Sequence, residues 1–150
     1  MIVRKTRIGT FETNSSRSHV LVIADSVNYN MTIIPNEVDK SITIPAIDFD
    51  EAEERKRYND PMTKASYLAA GLVDTYNIDE YGATKLKEWL DLLHEVIKDH
   101  TGARVVLFSK DGEVGNALDP SLFEQAVKDK ETLKNFLFND GSYFEVQYHG

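Results

Sequence analysis

The chain is 150 residues long, carries a formal net charge of −8 and has no cysteine. This length is typical of one domain and is enough to bury a core without disulfides. An acidic surface repels phosphate backbones, which disfavours direct nucleic-acid binding and suits a basic protein partner. Without cysteine, neither a disulfide framework nor a thiolate metal site can form. The sequence shows no signal-peptide pattern and no apolar run near the ~20 residues of a membrane span, so we expect a cytoplasmic protein.

The N-terminal third of the chain is predicted to form strands separated by turns. β-Branched residues alternate or run together in four segments bounded by polar clusters, which is typical of strands. These segments are residues 2–8, 19–24, 31–34 and 41–47. Pro45 confines the last of them to a sheet edge or a bulge, because proline has no backbone N–H for a central strand.

The middle of the chain is predicted to hold a charged segment and two helices. Residues 48–59 carry five acidic and three basic side chains, which predicts a short exposed helix or a flexible connector. Asp60-Pro61 is typical of a helix start, with an acidic N-cap followed by proline at the first helical position. The first helix is predicted over residues 61–76. The second is predicted to begin at Glu80 or Thr84 and to end at about His100, with Gly102 as its C-terminal stop.

The C-terminal third is predicted to alternate between strands and helices. Four consecutive apolar residues at 105–108 predict a buried strand over residues 104–109. Helices are predicted over residues 120–129 and 132–138, and a final alternating strand over residues 142–148. Strands, two helices, a strand, helices and a strand define an α+β fold. We therefore expect a single domain, residues 1–150, in which a mixed β-sheet carries helices packed mainly on one face.

Residues 9–19, here called the polar string, are denser in hydroxyl, amide and imidazole groups than any other stretch. As a binding site, these side chains and the N–H groups of an irregular turn would hold a small anionic ligand such as a phosphate or a nucleotide. As a catalytic site, His19 would act as general acid–base beside a serine hydroxyl. The alternative is a structural turn whose side chains bond their own backbone. The candidate ligand-binding residues are Thr13, Asn14, Ser15, Ser16, Arg17, Ser18 and His19.

Other polar features of the chain have simpler interpretations. The acidic residues of the 48–59 segment lack the glycine and the terminal glutamate of a calcium loop and are interpreted as a solvated surface. His94 and His100 are six residues apart and so do not share a helical face as a metal-binding pair. Trp89 lies on the apolar stripe of the second helix and is predicted to be in the core. We predict no metal, no cofactor and no catalytic residue.

The polar string carries a resemblance to a known group of proteins. The pattern Phe11-Glu12-Thr13-Asn14-Ser15-Ser16, followed by His19 and an apolar strand, resembles the N-termini of small uncharacterised phage and bacterial proteins. Phe136-Leu137-Phe138-Asn139, followed by Ser142, is similar to their C-terminal signature. Arg17 stands where the pattern leads us to expect a small hydroxyl residue. The resemblance implies a phage or prophage origin, and it supplies no activity.

Two functions are expected from these observations. The first is a small, acidic, phage-encoded interaction protein that binds and modulates a host protein in the host cytoplasm, without a membrane. The alternative is a phosphate- or nucleotide-binding protein or enzyme that uses residues 13–19. A structural role in a virion has no specific sign in the sequence.

Overall fold

The computed structural model describes residues 3–7, 17–46, 56–72, 82–110 and 124–148. The predicted α+β class is confirmed. Within the described residues the elements are β1 Val3–Arg7, β2 Arg17–Ala24, β3 Ser41–Ala46, β4 Lys56–Tyr58, α1 Pro61–Leu72, α2 Ala83–Thr101, β5 Val105–Lys110, α3 Lys130–Phe138 and β6 Tyr143–Tyr148.

The described strands form two separate sheets, one antiparallel and one parallel. In the first, the order is β1-β2-β6-β4 and every neighbouring pair is antiparallel. In the second, β3 and β5 run parallel, with Ser41 opposite Val105. Parallel strands need a long crossover connection, and here the chain between them includes β4, α1 and α2.

One hydrophobic cluster joins the described parts of both sheets to the helices. Leu21 and Phe144 of the first sheet belong to the same cluster as Ile44 of β3 and residues of all the helices named above. Phe144 stacks on Tyr67 of α1 and on Tyr58 of β4, at centroid distances of 3.9 and 4.8 Å. Burial of one such aromatic side chain contributes roughly 1.5–3 kcal/mol, so this stack fastens α1 to the centre of the sheet.

The helix ends follow the predicted capping chemistry. Asp60 Oδ2 accepts hydrogen bonds from the Thr63 backbone N–H at 2.9 Å and from the Thr63 hydroxyl at 2.7 Å, just before α1 begins at Pro61. Gly102 ends α2 in the left-handed conformation (φ 77°), and its N–H donates to the Lys98 carbonyl. Both predicted boundaries are therefore confirmed, while the predicted end of the first helix at Tyr76 lies outside the described residues.

Four expectations about single elements are corrected. Residues 31–34 are not a strand: the Met31 N–H donates to the carbonyl of Phe138, so this segment is attached to the end of α3, and Ile34 is 84% exposed. Within the predicted 48–59 connector, Lys56–Tyr58 form β4, because they pair with β6; residues 47–55 lie outside the described part. In the predicted 120–129 helix, only residues 124–126 of those described are helical. Asp129 instead caps α3, whose first residue is Lys130 rather than Thr132.

Candidate functional site

The polar string is only partly within the described residues. Thr13, Asn14, Ser15 and Ser16 lie outside them. Arg17, Ser18 and His19 are the first three residues of β2 and pair with Tyr148, Gln147 and Val146 of β6. The strand was predicted to begin at His19 and begins two residues earlier, so these three backbones belong to a β-ladder rather than to a loop. Ligand binding by residues 13–19 stays a prediction.

The opposite end of β2 enters a buried polar cluster. We call this cluster the Lys64 network; its members are Ala24, Lys64, Asn135, Asn139 and Ser142, which come from four different elements or their ends. All five residues are buried. Buried polar groups need hydrogen-bond partners, so the geometry of this network decides whether it stabilises the fold.

The Lys64 ammonium or amine group has two carbonyl partners. Its side chain is 0% exposed, and Nζ donates to the Asn139 carbonyl at 3.0 Å and to the Ser142 carbonyl at 2.9 Å. Burial disfavours the charged form and lowers the pKa of Lys64 to about 7, although the carboxylates of Asp60 and Asp140 act in the opposite direction. A lysine of this kind can exchange a proton near neutral pH, but its position inside the core keeps it from touching a large substrate.

The rest of the network closes around the backbone of Ala24. The Ala24 N–H donates to Ser142 Oγ at 3.0 Å, and the Ala24 carbonyl accepts from Asn135 Nδ2 at 2.6 Å. Ser142 Oγ donates in turn to the Asn135 carbonyl, and Asn139 Nδ2 donates to Asn135 Oδ1, at 2.9 and 2.8 Å. Asn139 Oδ1 accepts from the Gly141 N–H at 2.9 Å, which shapes residues 139–142 into a turn. Two residues of the C-terminal pattern described above, Asn139 and Ser142, are thus members of this network.

A groove of about 450 Å³ opens beside the network, between the end of β2 and the start of α3. Its apolar residues are Ile23, Ala24 and Val27, and its acidic residues are Asp25, Asp129 and Glu131. Asp129 is engaged as the cap of α3, because it accepts from the Thr132 N–H at 2.7 Å, and this bond lowers its pKa. Three carboxylates against one ammonium, that of Lys130, disfavour the phosphate or nucleotide ligand considered for the polar string.

The outer face of the β3–β5 pair is the second unusual region. Val105 and Leu107 are 45% and 51% exposed, whereas Val106 between them is buried in the core cluster. The prediction of a strand buried on both sides is therefore wrong for this face. The helices α1 and α2 contact β3 and β5 on the side of Ile42, Ile44 and Val106, which leaves Val105 and Leu107 toward solvent.

The two histidines of α2 have structural roles. The His100 ring stacks on Phe138 at 4.0 Å between centroids, and its Nε2 donates to the Met31 carbonyl at 2.9 Å. The His94 ring packs on Phe108 at 4.6 Å. Within the described residues, no three His, Cys, Asp or Glu side chains are grouped so that they would hold a metal ion. No helix among them is long and apolar enough to cross a membrane.

Lys64 and the outer face of the β3–β5 pair were missed by sequence reasoning, although the composition of α1 carries a signal for the burial of Lys64. Lys64 is the only charged residue in α1, whose other residues are apolar, small or uncharged. A helix that is apolar on nearly all sides is a buried helix, and its one charge is buried with it.

No protein-family model matches this chain, and comparisons with curated proteins and with solved structures gave no significant match.

Proposed function

We propose that this chain is an interaction protein that binds and modulates a host protein through the outer face of the β3–β5 pair. The observation that carries the proposal is the exposure of Val105 and Leu107 on a parallel pair of strands. Parallel sheets are normally covered on both faces, so the half-exposed valine and leucine side chains of this pair favour a surface that a partner covers. A partner that supplies the missing apolar layer would complete this packing.

The charge of the chain favours a basic partner. With a net charge of −8, the protein attracts a positively charged surface over distances comparable to the screening length, about 8–10 Å at moderate salt. Apolar contact at Val105 and Leu107 would contribute the affinity, and the negative charge of the chain would raise the association rate. The resemblance of the polar string to phage and bacterial proteins points to a bacterial host as the source of the partner.

The proposal is tested with variants that change polarity and keep strand propensity. We expect the Val105→Thr/Leu107→Thr double variant to bind the purified partner at least about tenfold more weakly, which corresponds to 1.4 kcal/mol. The partner is first identified by crosslinking and mass spectrometry in host lysate, then purified, and its dissociation constant is measured by calorimetry. The matched control is Val27→Thr/Val38→Thr, which changes two exposed valines that belong to neither β3 nor β5 and is expected to bind within about twofold of the wild type.

Two outcomes would contradict this function. One is a double variant that binds the partner as tightly as the wild type does. The other is binding that salt leaves unchanged, because steering by net charge is screened at high ionic strength. The alternative function predicts instead that the Ser16→Ala/His19→Ala variant loses binding of inorganic phosphate or a nucleotide while its melting temperature is nearly unchanged.

A further inference from the structure

Lys64 lies where α1 meets the turn between α3 and β6. Its Nζ donates to the carbonyls of Asn139 and Ser142, which are the first and last residues of that turn. We propose that Lys64 is a proton-controlled latch: as a neutral amine it holds the 139–142 turn in place, and as an ammonium it loosens the turn and the end of β2. This inference does not depend on the proposed partner.

The number of hydrogen-bond acceptors favours the neutral amine. A neutral primary amine has two N–H groups, whereas an ammonium has three. Within the described residues, Nζ has two carbonyl acceptors at 2.9 and 3.0 Å. The ring of Phe136, whose centroid is 5.6 Å from Nζ, offers an ammonium a cation–π contact but no oxygen acceptor. The third N–H of an ammonium would therefore have no oxygen acceptor in the described surroundings, which is costly in a buried position.

The charges around Lys64 are too distant to hold the ammonium. Asp60 precedes α1 and Asp140 lies in the turn; both are exposed, and neither forms an ion pair with Lys64 in the described part of the chain. From α3, the residue that faces the amine is the uncharged Phe136. The two carboxylates favour protonation, but burial outweighs them and brings the pKa of Lys64 to about 7. The protonation change thus falls within the range of cellular pH.

The 139–142 turn transmits the change to β2 and to the groove. Ser142 Oγ accepts from the Ala24 N–H, and Asn139 Nδ2 donates to the Ser26 carbonyl at 2.8 Å. Ala24 and its neighbours Asp25 and Val27 line the groove. Loosening the turn therefore weakens the attachment of one wall of the groove to the core.

The first measurement is a direct titration of the lysines in the intact protein. The chain is labelled at the lysine side chains, and NMR shifts next to Nζ are followed from about pH 5.5 to about pH 11. We expect one lysine to titrate near pH 7, well below the ordinary lysine value of about 10.4. The unusual signal is assigned by its loss in Lys64→Met.

The second measurement is amide hydrogen exchange at the turn. After correction for intrinsic rates, exchange at Ala24, Gly141 and Ser142 is expected to accelerate roughly 30-fold between about pH 8.5 and about pH 6. This factor follows from linkage if the amine has its ordinary pKa of 10.5 in the open state and a pKa of about 7 in the closed state. The control is Gly102, whose N–H donates to the Lys98 carbonyl at the end of α2 and is not connected to the turn.

The latch is overturned if no lysine titrates near pH 7, or if the turn amides show the same pH dependence as Gly102. It is supported if the excess exchange at low pH disappears in Lys64→Met. Should that variant fail to fold, Lys64→Gln replaces it, since an amide supplies two uncharged N–H donors at every pH. The wild-type titration requires no variant to overturn the latch, because the absence of any lysine signal near pH 7 is sufficient; support for the latch also requires the exchange result.

Discussion

Two regions of this molecule reverse the usual distribution of polar and apolar groups, and they do so in opposite ways. The Lys64 network places polar groups inside, whereas the outer face of β5 places Val105 and Leu107 outside. In the Lys64 network, which we call the closed region, the buried polar groups bond one another within the chain. The outer face, which we call the open region, is different, because nothing in the described structure fully buries Val105 and Leu107. The closed region should therefore govern stability, and the open region should govern binding.

The free energies expected for the two regions support this division between stability and binding. Each buried polar group left without a partner costs about 1–3 kcal/mol, so loss of one member of the Lys64 network affects several bonds at once. An exposed valine or leucine contributes little to folding, because about half of its surface remains in water in the native state. The same surface becomes valuable when a partner covers it.

The largest expected effect is the pH dependence of folding that Lys64 produces. In the unfolded chain its pKa is 10.5, and in the folded chain it is about 7, so between these values the unfolded state holds one more proton. The free energy of unfolding should therefore rise with pH between about pH 7 and about pH 10, by at most about 1.4 kcal/mol per pH unit, and this contribution should be constant below that range. Urea denaturation of wild type and Lys64→Met at a series of pH values measures it. Parallel curves for the two proteins would contradict the burial of a titrating amine.

A somewhat smaller loss is expected when the turn itself is changed. Asn139→Ala should lower the free energy of unfolding by about 2–3 kcal/mol, because it removes the acceptor of the Gly141 N–H and the donor to Ser26 and Asn135 in a buried position. Asn36→Ala is the matched control: Asn36 Oδ1 also accepts from two backbone N–H groups, those of Val38 and Asp39, but in an exposed turn. There we expect a loss below about 1 kcal/mol. Equal losses would show that burial does not distinguish the two turns.

Much of the fold was predictable because its signals are local. The side chain of Asp60 caps the next turn of its own helix, and Gly102 adopts a backbone conformation that other residues avoid. The apolar run at 20–24 needs burial wherever the strand is placed. By contrast, residues 31–34 have the composition of a strand, but their partner is the carbonyl of Phe138, far away in the sequence.

The candidate site was less predictable, because it depends on contacts between distant segments. Lys64 donates hydrogen bonds to the carbonyls of residues that lie 75 and 78 positions further along the chain. Its charge predicts an exposed residue, and only the apolar composition of the rest of α1 points the other way. The exposure of Val105 and Leu107 has the same origin, since an apolar run does not tell how many faces of a strand the other elements cover.

A smaller effect is expected from the Asp60 carboxylate, which raises the pKa of Lys64 whereas burial lowers it. Asp60→Asn retains an N-cap of nearly equal strength but removes a carboxylate that raises the pKa of Lys64. The NMR titration midpoint of Lys64 should move to lower pH by about 0.2–0.7 unit, which corresponds to the 0.2–1 kcal/mol typical of exposed charges. Asp91→Asn on α2, whose carboxylate pairs with Lys87, is the control and should leave the midpoint unchanged. An unchanged midpoint, or a shift to higher pH, would contradict the expected effect of the Asp60 carboxylate on the amine.

The smallest effect on stability is expected at the outer face, and it tests the comparison most directly. Val105→Thr/Leu107→Thr should change the free energy of unfolding by less than about 0.5 kcal/mol per site, because both side chains are about half exposed. Val106→Thr, on the same strand but in the core cluster, should cost about 1–3 kcal/mol, since the new hydroxyl is buried. Urea denaturation of the three proteins gives both values. If the outer pair destabilises the isolated protein as much as Val106→Thr does, the outer face is already buried in solution, and it cannot be the open surface that a partner would cover.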